Sequence, residues 1–294
     1  MMRVITAPTV EPITLADVHS QLGIPTIDTA TDTLITRRIT EARQWAEDYM
    51  GRAICTQTQE VRMDDFPPII GVHERATIPN RIQDYDAIKL PYPDLQSIVS
   101  IKYIDIDGIE QTMTASDYVV DTYGYIGAVR PAYGVSWPSV RSEANAGRVQ
   151  YKCGYGVTAI ATAKTITGAT NATPGVFTSA GHGFADGDLI QLATTGMTTP
   201  NGQTYRVYAK ATDTFQLANL SNNAGLSTVS WGTFATGTAT RVQLDVPDLM
   251  REALILLVGH WTNQQPQSES GVMLARVPFA VRDIFDKFSI PRQA

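Results

Sequence analysis

The sequence predicts an α+β protein: a helical frame with a small antiparallel β region, plus an inserted all-β, barrel-like domain. Three observations carry this. At roughly 150 residues per domain, the 294 residues suggest two domains. Composition changes abruptly near Gly156 and changes back near Leu244. Between Val157 and Gln243 lie 7 charged side chains in 87 residues, against 45 in the other 207. The same stretch holds 19 threonines and 10 glycines, residues that favour strands and turns respectively. Finally, the flanking sequence carries helical apolar stripes that the insert lacks. The expected domains are a discontinuous frame, 1–156 with 244–294, and an insert, 157–243.

Along the chain, Thr14 can cap a first helix from Leu15 to Leu22, with Asp17 three residues on as a capping-box partner and Gly23 as its stop. A second helix starts near Asp32 and ends before Gly51. Its apolar positions Ile35, Ile39, Ala42, Ala46 and Tyr49 step by four, three, four and three, one continuous stripe. Strand-type sequence then covers Ser97–Ile106, Tyr118–Asp121 and Arg148–Cys153, with Asp107-Gly108 as a hairpin signal. In the insert, Asp188–Leu192, Thr204–Tyr208 and Thr214–Leu217 alternate between turn clusters. A third helix begins at Pro247 and carries Leu249, Met250, Ala253, Leu254, Leu256, Leu257 and Val258. It is apolar over most of its circumference, which predicts deep burial or a place between subunits. A short fourth helix is expected over Phe279–Phe288, ended by Pro291.

Composition also excludes function classes. Hydrophobic content of 43% supports a real core, and 18% charge is too low for disorder driven by self-repulsion. A net charge of −6 argues against a basic grip on nucleic acid, whose affinity comes from neutralising phosphates. The longest apolar run, Ala253–Val258, is six residues, far short of the roughly 20 that span a bilayer. Met1-Met2-Arg3-Val4 lacks the apolar core of a signal peptide, which predicts a cytosolic chain. Cys55 and Cys153 stand far apart with no CxxC partner and read as reduced and buried.

Motif by motif, catalytic chemistry finds little support. Gly154-Tyr155-Gly156-Val157-Thr158-Ala159 spells G-x-G-x-x-A, but strand sequence follows where a phosphate-binding helix would have to start. Asp105-Ile106-Asp107-Gly108 opens like a calcium loop, yet its glycine is fourth rather than sixth and Ser116 occupies the twelfth position. A hairpin turn is the better reading. His182, Asp186 and Asp188 could hold a metal or serve acid–base chemistry, but they fit two tight turns around a strand better. His19, His73, His182 and His260 are too scattered to share a centre. The expectation is a protein that is not an enzyme and uses no metal or cofactor.

Taken in order, the frame's residues resemble the head–tail connector proteins of tailed phages, also called adaptor or head completion proteins. The likeness runs through Ile13-Thr14-Leu15-Ala16-Asp17-Val18, then Leu34-Ile35, Ala42-Arg43, Ala46-Glu47, Tyr49 and Gly51-Arg52. It continues through Phe66-Pro67, Leu90-Pro91, Tyr103, Asp107-Gly108, Trp137-Pro138 and Gly154-Tyr155-Gly156, and ends on Val246-Pro247, Leu257 and His260-Trp261. In the family the Gly-Tyr-Gly segment leads within a few residues to Val-Pro and the buried helix. Here about 90 residues intervene, the same stretch that composition marks as foreign. The insert itself resembles a small β-barrel module of phage tail proteins, through Gly181-His182-Gly183-Phe184, Gly187-Asp188, Asn201-Gly202 and Phe215-Gln216-Leu217.

The resemblance implies a virion structural protein at the head–tail interface, assembled in the host cytoplasm. It implies a ring, usually of twelve subunits, with a portal protein above and a stopper or tail-side protein below. DNA would pass through without sequence-specific binding, and no membrane is involved. Leu249, Met250, Ala253, Leu254, Leu256 and Leu257 would then be buried within or between subunits. Beyond the polar stretch Thr262–Gly271, the residues Val277, Phe279, Val281, Arg282, Ile284, Phe285 and Phe288 form a candidate docking element for the portal or a neighbour. Folding back onto its own subunit is the alternative for that segment. A different reading of the whole chain is a cytosolic assembly or binding protein. In it Tyr205, Tyr208, Trp231 and Phe234 would make the insert a carbohydrate-binding module.

Overall fold

The structure, a computed structural model, describes residues 2–23, 29–67, 87–218, 224–263 and 279–290. It is mixed α and β, and it falls into two compact units. The first comprises Met1–Ala7, Gly51–Gly154 and Ile290–Ala294, and the second Pro8–Met50 and Tyr155–Ser289. The compositionally distinct segment 157–243 falls within the second.

The first unit is β-structure. Strand β1 (Met2–Thr6) pairs antiparallel with β2 (Gln57–Met63). After β3 (Ile88–Leu90) come β4 (Leu95–Ile104), β5 (Glu110–Thr112), β6 (Tyr118–Asp121), β7 (Gly127–Pro131) and β8 (Gly147–Cys153). They form a five-stranded sheet in the order β1-β2-β8-β4-β5 and a three-stranded one in the order β3-β7-β6. Alternation explains β8, whose Gly147, Val149, Tyr151 and Cys153 are buried while the residues between them are half-exposed. Ile88, Leu90, Ile101, Val129, Val149 and Tyr151 make the core, extended by Phe66 stacked on Trp137 with ring centroids 4.9 Å apart. Cys55 and Cys153 are both free and buried. The expected hairpin joins β4 to β5 through Gly108, at φ 83°. Asp105 holds the turn by accepting from the amides of Asp107 at 3.1 Å and Ile109 at 2.9 Å.

Gly154 explains the structural need for the Gly-Tyr-Gly segment. It sits at φ 105°, and a Cβ there would lie 2.4 Å from the carbonyl oxygen of Cys55. The segment is a close backbone crossing, and it leads into strand β9 rather than into a helix.

In the second unit, helix α1 (Leu15–Leu22) begins on a full capping box. Thr14 Oγ1 accepts from the Asp17 amide at 3.1 Å, and the Asp17 carboxylate accepts from the Thr14 amide at 2.7 Å. Gly23 ends it in the left-handed region. Helix α2 (Thr29–Met50) starts three residues earlier than expected. The reason is that Asp32 does not cap it: its carboxylate lies in the first turn, 2.8 Å from His19 Nε2. Helix α3 (Asp248–Asn263) begins directly after Pro247, whose carbonyl accepts from Met250 and Arg251. Helix α4 (Phe279–Asp286) is followed by single-turn bonds as far as Ser289. Ile35, Ile39, Ala42, Ala46 and Met50 of α2 pack with Met250, Ala253, Leu254 and Leu257 of α3, and all are buried.

The same unit carries β9 (Val157–Ala159), β10 (Lys164–Ile166), β11 (Gly168–Ala169), β12 (Val176–Thr178), β13 (Leu189–Thr195), β14 (Thr204–Tyr208), β15 (Thr214–Leu217) and β16 (Thr236–Leu244). Their order is β10-β16-β13-β14-β15-β12-β11, with β9 also on β16. Among the described residues this sheet does not close into a barrel. Its two end strands, β10 and β11, are consecutive along the chain on either side of Thr167 and do not pair. Both sides still wrap one core of Ile166, Phe177, Ile190, Leu192, Val207, Phe215 and Leu217. The segment's two ends meet where β9 pairs with β16 and the Asp245 amide donates to the Gly156 carbonyl at 3.1 Å.

Candidate assembly surfaces

The helical layer is held by aromatic and ionic contacts that the sequence did not announce. Trp45 stacks on Tyr49 one turn along α2, with centroids 5.0 Å apart. It meets Trp261 of α3 edge-on at 6.4 Å and Phe285 of α4 at 6.0 Å. Tyr49 Oη donates to Asp286 Oδ1 at 2.7 Å, and that bond is the main reason its hydroxyl is held above the ordinary tyrosine range.

These contacts sort the residues of the candidate docking element. Val281 and Phe285 are buried within their own unit, with Phe285 against Trp45. Ile284 and Phe288 are half-buried, and Arg282 is exposed. Phe279, 84% exposed, is the large apolar side chain left over. Val277 lies outside the described residues, as does the polar stretch beyond Asn263. The fold-back contact therefore buries Val281 and Phe285, and any docking surface on α4 centres on Phe279 and Arg282.

Helix α3 divides in the same way. Met250, Ala253, Leu254 and Leu257 are buried in the helical layer. Leu249 and Leu256, two turns apart on one face, remain 44% and 40% exposed. A stripe read as wholly buried or between subunits is thus two surfaces, one inward and one outward.

In the insert, His182 and the aspartates act on the backbone. His182 is buried; its Nδ1 accepts from the Phe184 amide at 2.9 Å and its Nε2 donates to the Ala211 carbonyl at 3.1 Å. Asp188 accepts from the Ala185 amide, Asp186 from the Lys210 amide and Asp213 from the Gly181 amide. Each carboxylate fastens a turn. Tyr205 is buried, and burial pushes its hydroxyl up to about 12. Trp231 packs on Tyr205 at 5.6 Å, and Phe234 lies against the same core. Of the four aromatics that could stack on sugar, Tyr205 is a core residue, while Trp231 and Phe234 are half-buried against that core.

A cleft of about 720 Å³ is lined by Pro12, Asp17, Arg206, Asp245, Asp248 and Arg251, among others. Arg251 lies 3.7 Å from Asp17 and 3.6 Å from Asp248, and its Nε donates to the Pro12 carbonyl. Arg206 donates to the Gly187 carbonyl at 2.9 Å. Among the described residues no group of three or more metal-ligating side chains converges, and no described helix is long and apolar enough to cross a membrane.

Several exposed apolar residues escaped sequence reasoning: Ile106 and Ile109 on the β4–β5 turn, Tyr123 and Tyr125 between β6 and β7, and the strand β1. Periodicity finds faces that point inward. An apolar residue on a turn or an outer strand leaves no such signal.

No family model matches the chain, and no curated protein matches it. Among solved structures, a chain from the neck of an empty GTA particle computed with C6 symmetry superposes with a TM-score of 0.50 at 13% identity, covering 100% of this chain and 97% of that one. A chain from the neck of a native GTA particle computed with C12 symmetry gives 0.49 at 12% identity. One from the virion of a native gene transfer agent particle gives 0.47 at 12%, with the same coverage in both. At such identity the first of these likenesses speaks to the fold alone, and it does so over the whole chain.

Proposed function

We propose that this chain is a structural protein of a virion, a subunit of the head–tail connector ring that joins the portal to the tail and forms part of the DNA channel. The observation that carries the reading is the end-to-end likeness of its fold to a particle-neck chain, insert included. It agrees with the ordered resemblance of the frame to connector proteins. A ring through which DNA slides must not grip phosphates, and a net charge of −6 suits that demand. The outward leucines of α3, Leu249 and Leu256, would meet a neighbouring subunit, and Phe279 with Arg282 would meet the portal or a neighbour. The side chains of the insert fasten turns and fill a core, which supports a structural rather than an enzymatic role.

The test is incorporation into particles. A tagged chain is expected at the head–tail junction of assembled particles. Phe279→Asp, on an exposed side chain, is expected to fold normally yet to be depleted from portal-bearing particles. Undiminished incorporation of that variant would remove the docking role of α4. A tag found only in soluble extract would sink the connector reading in favour of a cytosolic binding protein.

A further inference from the structure

We infer that neighbouring copies of this chain join by strand addition, with β1 of one copy completing the bare edge of β4 in the next. The inference rests on the ring reading above and names the contact that would build the ring.

Strand β1 is the first edge of the five-stranded sheet and, among the described residues, pairs on one side only, with β2. All five of its residues are exposed, including Met2, Val4 and Ile5, and its single charge is Arg3. A bare apolar edge strand is an aggregation site unless something covers it, and soluble chains usually protect such edges with charge or proline. The opposite side of the same sheet is also incomplete. Strand β4 is ten residues long, but β5 pairs only with Lys102–Ile104, and one further bond runs from the Met113 amide to the Ile101 carbonyl. Among the described residues no strand pairs with Gln96–Ser100 on the side away from β8. That stretch carries no charge, and Val99 on it is 49% exposed. Five open residues on one edge thus face outward from five open residues on the other.

Strand direction decides the partner. β1 runs antiparallel to β2, β2 to β8, and β8 to β4, so β1 and β4 run in opposite directions. A second copy related by rotation about an axis along the strands keeps its own directions. Its β1 then arrives antiparallel to β4, the commoner and better hydrogen-bonded pairing. The donor and acceptor edges differ, so the contact is head-to-tail and repeats from copy to copy until the rotation closes. Two copies joined through the same edge would stop at a dimer. The ladder of β4 on β8 is irregular at Gln96 and Val99, and that of β1 on β2 at Ile5. The union is β-augmentation: backbone bonds supply adhesion, and Val4, Ile5, Ile98 and Val99 supply the apolar contact.

Cysteine cross-linking tests the contact on the intact protein. Val4→Cys and Val99→Cys both replace exposed side chains, while Cys55 and Cys153 are fully buried and do not compete. With a short bis-maleimide, the double variant is expected to give a ladder from dimer to full ring on a denaturing gel. Each single variant is expected to run as monomer. A ring of unchanged mass with no ladder would overturn strand addition and leave the connector reading standing. Dimers from Val4→Cys alone would also overturn it, because they require β1 to meet β1. A chain that stays monomeric, alone and on particles, would overturn both.

Discussion

Replacing Arg43 by alanine is expected to destabilise the second unit by about 3–5 kcal/mol, read as a drop in the urea midpoint. Arg43 sits on α2 with almost none of its side chain exposed, between two carboxylates that are equally covered. Its Nε donates to Glu11 at 2.7 Å, its Nη2 to the other oxygen of Glu11 at 3.3 Å, and its Nη1 to Glu47 at 2.9 Å. Thr40 Oγ1 also donates to Glu11, at 3.0 Å. The arginine fork therefore ties the segment before α1 onto α2. Alanine removes the cation and leaves two carboxylates buried without it, and that uncompensated charge is the source of the loss. The triad itself gives weaker net stabilisation. Arg43→Met combined with Glu11→Leu and Glu47→Leu is expected to recover most of the midpoint, since a packed apolar set has no charge to desolvate. An Arg43→Ala unfolding free energy within about 0.5 kcal/mol of the parent would show that the triad is hydrated.

The second large effect is expected at Ala46, which has no exposed surface. It lies on the α2 stripe that packs with α3, beside Trp45 and one turn before Met50. Ala46→Asp should cost about 3 kcal/mol or more, because the new carboxylate must be desolvated where methyl groups now touch. Ala46→Ser is the graded control, with an expected loss of about 1–3 kcal/mol for an unpaired hydroxyl. An unchanged melting temperature in the aspartate variant would mean that this face meets water.

The stripe that makes Ala46 sensitive was legible in the sequence as far as Ala46, but Met50 rather than the expected Tyr49 ends its buried face, and Tyr49 stays half-buried. Thr14, Asp17 and Gly23 encode both ends of α1 in local chemistry, and Pro247 marks the start of α3. Strands β14 and β15 were legible because alternation between turn clusters is local too. Strand β2 was not. Its sequence, Gln57–Met63, is mostly polar, and Gln57, Thr58, Gln59 and Glu60 are nevertheless buried. Burial pushes the Glu60 carboxyl up, but hydrogen bonds from Gln150 at 2.7 Å and Arg62 at 2.6 Å outweigh it and hold it below the usual range. Such a strand is stabilised by partners distant in sequence, which no hydrophobic period records.

The candidate assembly surfaces were legible only as composition. The apolar positions of α4 announced a helix that needs a partner, but periodicity cannot say whose surface it meets. Trp45 and the Tyr49–Asp286 bond assign Val281 and Phe285 to the subunit itself. Phe279 is left outside that contact. Closure of the insert's sheet into a barrel is not shown, and it was not legible for a similar reason. Strand–turn spacing encodes the strands, whereas which strands pair around the sheet is a long-range property. The edges of β1 and β4 left open among the described residues are likewise a property of which strands sit beside which.

Mass measurement of the purified full chain in solution, paired with negative-stain images of the same sample, tests the connector account most directly. The account predicts a closed ring of many 32.0 kDa subunits, formed by the chain alone or on portal-bearing particles. A stable monomer under both conditions, with no ring in the images, would contradict it.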